Sequence, residues 1–176
     1  ACLRLQCPAF NLDYCYSYES EDMTNRVLDF LMGKLRMGLF AIPTEEYCAY
    51  YAAEGRGVRE YVLNLPPDVE TALWRVMDER LADGVTLSFD YFNRGCAITC
   101  VRFLNQALLG KGKIEYAPSL YAHSPTPCEL VKANTKNALW VRFYWNFLVG
   151  EDVKDPLYGD RQLIIPADLV KAWQEA

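Results

Sequence analysis

With 176 residues, 52% of them hydrophobic and 23% charged, the chain is long enough to bury a core and too apolar to be disordered. A net charge of −5 and a pI near 5.0 exclude the basic footprint of a nucleic-acid binder, the one basic cluster being Lys111-Gly112-Lys113. No apolar run reaches the ~18 residues of a spanning helix; the nearest, 138–149, carries Arg142 and Asn146.

The N-terminal residues alternate, with Leu3, Leu5 and Cys7 on one side and Arg4 and Gln6 on the other, as in a half-buried strand. Pro8 ends that run and Asn11 turns the chain into a second one, from Leu12 to Glu19. Tyr14, Tyr16 and Tyr18 share one face there, so the two runs are expected to pair antiparallel. A helix is expected from about Thr24, with Val27, Leu28, Leu31 and Leu35 on one side and glycines at 33 and 38. Thr44 has the character of an N-cap, with Glu45 and Glu46 complementing the helix dipole and Gly55 as the stop. Residues 59–65 read as a strand with Tyr61, Leu63 and Leu65 in phase.

Pro66-Pro67-Asp68 opens the clearest helix, whose apolar positions Val69, Leu73, Met77 and Leu81 recur every four residues until Gly84. Residues 85–92 read as a strand with Val85, Leu87 and Phe89 in phase. After a kink at Asn93-Arg94-Gly95, a helix is expected over 96–109, ending at Gly110. A loop over 111–127, a helix over about 135–148, a strand over 162–165 and a helix over 166–174 finish the chain. Without repeats or linkers, the expectation is one α+β domain over 1–176, an antiparallel sheet packed with helices.

Seven cysteines leave at least one thiol unpaired within the chain, and no signal peptide is visible. The absence of a C-x-x-C pair, together with a single histidine, argues against zinc, and neither metal nor cofactor is expected. Cys96 stands out because it follows strand, kink and Gly95 and starts a helix. In the first turn of a helix the exposed backbone N–H groups favour thiolate and can donate to an oxyanion. Gly95 is expected to permit a sharp turn there, and Gly95, Ala97 and Tyr91 are the candidate oxyanion or cleft residues. Cys100, one turn on, is expected to pack against the sheet. His123 lies in a proline-bracketed loop and reads as a surface imidazole. Arg56 and Arg59 are expected to pair with Glu54 or Glu60.

Several stretches resemble, in order, the periplasmic N-terminal domain of the bacterial lipoprotein N-acyltransferase Lnb. They are Leu3-Arg4-Leu5-Gln6-Cys7-Pro8, Leu12-Asp13-Tyr14-Cys15, Tyr51-Ala52-Ala53-Glu54-Gly55-Arg56, Phe89-Asp90-Tyr91-Phe92-Asn93-Arg94-Gly95-Cys96 and Trp140-Val141-Arg142-Phe143. Leu148-Val149-Gly150 and Leu163-Ile164-Ile165-Pro166 fit as well. The resemblance implies a circularly permuted relative of the NlpC and papain-like thiol enzymes, periplasmic or otherwise exported, with Cys96 as nucleophile. It also implies a histidine in a Gly-His pair directly before the strand that begins Ala1-Cys2-Leu3-Arg4. The sequence starts one residue too late to contain it, so a short N-terminal segment is expected to be missing and the chain to fold without being active.

The leading expectation is a cysteine-dependent acyl-transfer domain that holds an acyl group on Cys96 and acts on a lipid or lipoprotein at a membrane surface. The rivals are a thiol hydrolase cutting cell-wall amides and a noncatalytic exported binding module.

Overall fold

The structure, a computed structural model, describes residues 1–20, 29, 34–90, 93–140, 143 and 155–174. Strands β1 (Cys2–Cys7) and β2 (Leu12–Glu19) form the expected antiparallel pair. A short 3₁₀ turn over Pro8–Phe10 joins them, closed by Asn11 at φ 54°. Leu3 stands opposite Tyr16 and Leu5 opposite Tyr14, which puts all four on one face. Strand β3 (Arg36–Pro43) pairs with β2, and the two-residue β4 (Leu87–Ser88) pairs with β3, giving the order β1-β2-β3-β4.

Helix α1 (Thr44–Ala53) follows β3 directly. Helix α2 (Pro67–Asp83) opens on proline, whose missing N–H costs nothing at a helix start, and ends at Gly84 with φ 57°, a left-handed conformation that favours glycine. Helix α3 (Cys96–Ala107) lies against α2. The core forms where these two helices meet the sheet. Leu73 and Met77 of α2, and Ala97, Val101 and Leu104 of α3, are almost fully buried with Leu3, Leu5 and Tyr16. Trp74 meets Tyr16 edge to face at 6.0 Å. Burial of each large aliphatic side chain contributes about 1.5–3 kcal/mol, so this layer fixes α3 on the sheet. Short helices α4 (Pro118–Ala122) and α5 (Pro127–Asn134), a 3₁₀ turn over Gly159–Gln162 and helix α6 (Pro166–Gln174) complete the α+β architecture.

Several expectations are corrected. Leu35 lies outside any helix, and the residues after it form β3; the rest of the helix expected from Thr24 falls almost wholly outside the described residues. Thr44 is the first helical residue and not a cap, because its hydroxyl is used by Asp13 at 2.6 Å and Pro43 precedes it. Residues 59–65 make no strand, although Leu63 and Leu65 do pack on the core. The strand expected over 85–92 shrinks to Leu87–Ser88, with Val85 exposed. The 111–127 loop contains α4, and 162–165 is turn and not strand. The helix expected over 135–148 lies largely outside the described residues; of its span Leu139, Trp140 and Phe143 are helical and exposed.

Candidate thiol site at the start of helix α3

The bend before Cys96 is held by side chains that sequence pattern does not reveal. Asp90 accepts from the backbone N–H of Asn93 at 2.9 Å and from its side-chain amide at 3.0 Å, the local turn that a short carboxylate makes three residues ahead of itself. The Asn93 Oδ1 in turn accepts from the Arg161 guanidinium at 2.8 Å, tying the bend to the 3₁₀ turn far along the chain. Arg94 donates to the Ser88 carbonyl at 3.4 Å. The hint available in the sequence was the Asp-x-x-Asn spacing; the Arg161 link had none.

Gly95 is the N-cap of α3, at φ −76° and ψ 166°. That is extended backbone open to any residue, so the backbone here does not draw on glycine's access to left-handed conformations. Its carbonyl accepts from Thr99 N at 3.1 Å and from Thr99 Oγ1 at 2.8 Å. Gly95 brings no side chain to cap the helix start. As at any helix start, the N–H groups of Cys96, Ala97 and Ile98 have no partner within the helix, and this end of the helix dipole is the positive one.

Cys96 is half-buried, and its Sγ lies 3.2 Å from the amino nitrogen of Ala1, which donates to it. The helix that carries the thiol and the strand that opens the chain therefore meet at this sulfur. Ala97 is wholly buried in the core, backbone included. Tyr91 lies outside the described residues. Cys100 packs into the core as expected, and burial pushes its thiol up to about 12.

His123 is exposed at the end of α4, and among the described residues no hydrogen bond joins it to Cys96. Arg56 pairs with Glu54 at 2.7 Å and sits over the Tyr51 ring at 4.2 Å. Glu60, however, pairs with Arg4 and not with Arg59. A cavity of about 340 Å³, lined by Asn105, Leu108, Tyr116 and Tyr121 among others, opens at the opposite end of α3 and does not include Cys96. Among the described residues no cluster of His, Cys, Asp and Glu could hold a metal. None of the seven cysteines is in a disulfide.

No curated protein and no solved structure matches the chain. A family model does, that of the Lnb N-terminal periplasmic domain, over residues 8–133. The match includes the Asp90–Asn93 turn, Gly95 and Cys96, and leaves Ala1 and Arg161 outside it. Among the described residues no helix is long and apolar enough to cross a membrane. With well over half its length matched, the chain belongs to the Lnb N-terminal periplasmic domain family, and its compartment is the periplasm.

Proposed function

We propose that the domain is a cysteine-dependent acyl-transfer module with Cys96 as its nucleophile. The observation that carries this reading is a half-buried thiol on the first residue of helix α3, whose N-cap is a glycine that brings no capping side chain. In the proposed reaction the Cys96 thiolate attacks the carbonyl carbon of a lipid ester, and backbone N–H groups at the start of α3 hold the oxyanion. The carbon–oxygen bond breaks, and the lipid alcohol leaves with a proton. An amine, such as that of a lipoprotein, then attacks the thioester and returns the thiolate. The burial of Cys100 favours Cys96 as the reacting thiol of the pair.

A general base belongs beside the sulfur, and the 3.2 Å contact between the Ala1 nitrogen and Cys96 Sγ supports a position for it at the start of β1. A residue joined to the Ala1 nitrogen would have its Cα about 2.4 Å from that atom by ordinary peptide geometry, close enough for a side chain to approach the thiol. This is where the family resemblance expects the histidine. The same geometry serves attack on an amide, so the substrate decides between acyl transfer and cell-wall peptide hydrolysis.

The test uses the chain with a Gly-His pair added before Ala1 and a phospholipid labelled in its acyl chain. A hydroxylamine-sensitive label is expected on the protein, abolished by Cys96→Ala and retained in Cys100→Ala. Equal labelling of the Cys96→Ala protein would sink the proposal. Cleavage of a peptidoglycan stem peptide, without acyl labelling, would replace it by the hydrolase reading.

A further inference from the structure

Arg161 lies beyond residues 8–133, so the family match gives it no role. The 3₁₀ turn that carries it is held by Gln162 within the turn and by Leu163 just after it. Gln162 donates its side-chain N–H to the Leu120 carbonyl at 2.9 Å, and Leu163 is 1% exposed in the core cluster that also holds Ala97. From this support Arg161 donates to Asn93 Oδ1 at 2.8 Å, while Asn93 Nδ2 donates to Asp90 at 3.0 Å. Both ends of one side-chain amide are used, which fixes its orientation and joins guanidinium to carboxylate in a polarised chain.

We propose that Arg161 is a positioning residue for the Cys96 thiol, acting through Asn93. The proposal rests on the reading of Cys96 as the reacting thiol. Asn93 stands three residues before Cys96, and Gly95 between them brings no side chain to hold the joint. The bend's local holds are the Arg94 backbone N–H on the Asp90 carbonyl at 2.9 Å and the Arg94 guanidinium on the Ser88 carbonyl at 3.4 Å. Arg161 adds a hold from a segment packed into the core, 68 residues along the chain. The angle at which α3 begins, and with it the position of the thiol, then follows a fixed point of the core.

Charge acts in the same direction as geometry. The charged and titratable groups described around Cys96 are the Ala1 amino group and Cys2 at the start of the chain, Cys100 of α3, Asp90 and Arg94 of the bend, and Arg161. The Asp90 carboxylate disfavours a thiolate nearby, whereas the Arg161 guanidinium, fixed two hydrogen bonds away from it, favours one. A neutral, short side chain at position 161 loses both the hold and the offset.

The experiment alkylates the folded chain 1–176 with iodoacetamide over about pH 6–10, a span that covers the ordinary thiol range. Peptide mapping reads each thiol, and the exposed Cys48 on α1 serves as internal standard. In Arg161→Ala the Cys96 rate near neutral pH is expected to fall about three- to tenfold relative to Cys48, with the pH midpoint of Cys96 moved upward. Arg161→Lys, which keeps a cationic donor, is expected to recover most of that loss. In an Asn93→Ala background, Arg161→Ala is expected to add less than about twofold, because the two residues act as one unit. An unchanged Cys96-to-Cys48 ratio in Arg161→Ala, no recovery with Arg161→Lys, or the full loss repeated in the Asn93→Ala background would each overturn the proposal. Arg161 is exposed, so its variants leave the core intact, and the ratio to Cys48 cancels any general loosening. Acyl transfer is not read in this experiment, so a failure of the acyl-transfer reading leaves its outcome standing.

Discussion

One face of the β1–β2 pair sets Leu3, Leu5, Tyr14 and Tyr16 against helices α2 and α3, whereas the other sets Cys2, Arg4, Asp13 and Cys15 toward the start of α1. The two faces share the same backbone ladder, yet different forces hold them. On the first face, stability comes from apolar area removed from water. On the second it comes from geometry: Arg4 forks onto both oxygens of Asp13, with Nε at 2.8 Å from Oδ1, and donates to Glu60 at 2.7 Å. Asp13 also takes the Thr44 hydroxyl at 2.6 Å. The apolar face positions the helix that carries Cys96. The polar face orients the chain entering α1.

The contrast predicts a ranked set of effects. Truncation of a core side chain is the largest: Leu73→Ala, at a site 1% exposed, is expected to cost about 2–5 kcal/mol in urea unfolding. A loss no greater than that from Arg4→Ala would break the comparison.

Next comes the acid limb of stability. The Arg4 guanidinium and then the Thr44 hydroxyl hold the Asp13 carboxyl down to about 2, against ~3.9 when unfolded. Because the folded value is the lower one, this stabilisation is fully present above about pH 4 and disappears as pH falls toward 2. With Asp13 about a third exposed (35%), solvent screening leaves it on the order of 1 kcal/mol. Asp13→Asn is expected to lower stability at neutral pH and to flatten the profile between pH 4 and 2. An unchanged acid limb would show that the fork contributes nothing. The smallest effect belongs to Arg56→Ala, which removes an exposed pair with Glu54 and is expected to leave Tm unchanged. Such a result would sharpen the comparison, because opposite charges would then stabilise only where the sheet holds them in place.

Legibility in the sequence follows the same division. Strands β1 and β2 and helices α2 and α6 can be read because each puts polar and apolar residues on opposite sides at its own period. Strand β3 cannot: Met37, Leu39 and Ala41 face one way and Phe40 and Ile42 the other, and neither side is polar. The alternation over 59–65 places Leu63 and Leu65 correctly, but a strand also needs a partner, which residue pattern does not supply. Helix α5 carried a usable signal, since Thr126 and Glu129 form a capping box on either side of Pro127. The position of Cys96 at a helix start was visible in the sequence. The contact between its sulfur and Ala1 needed the packing of α3 on β1.

The hydrogen bond from Arg161 to Asn93 also bears on the order in which the site is assembled. A chain that emerges amino end first presents β1, β2 and the Cys96 helix well before residue 161 is available. Until then the bend before the thiol rests on the Asp90 turn and on Arg94 at the Ser88 carbonyl. The final anchor closes a loop of 68 residues at an entropic cost that grows only slowly with length. Completion of the thiol site is therefore a late event in the domain's maturation, even though the thiol itself lies near the middle of the chain.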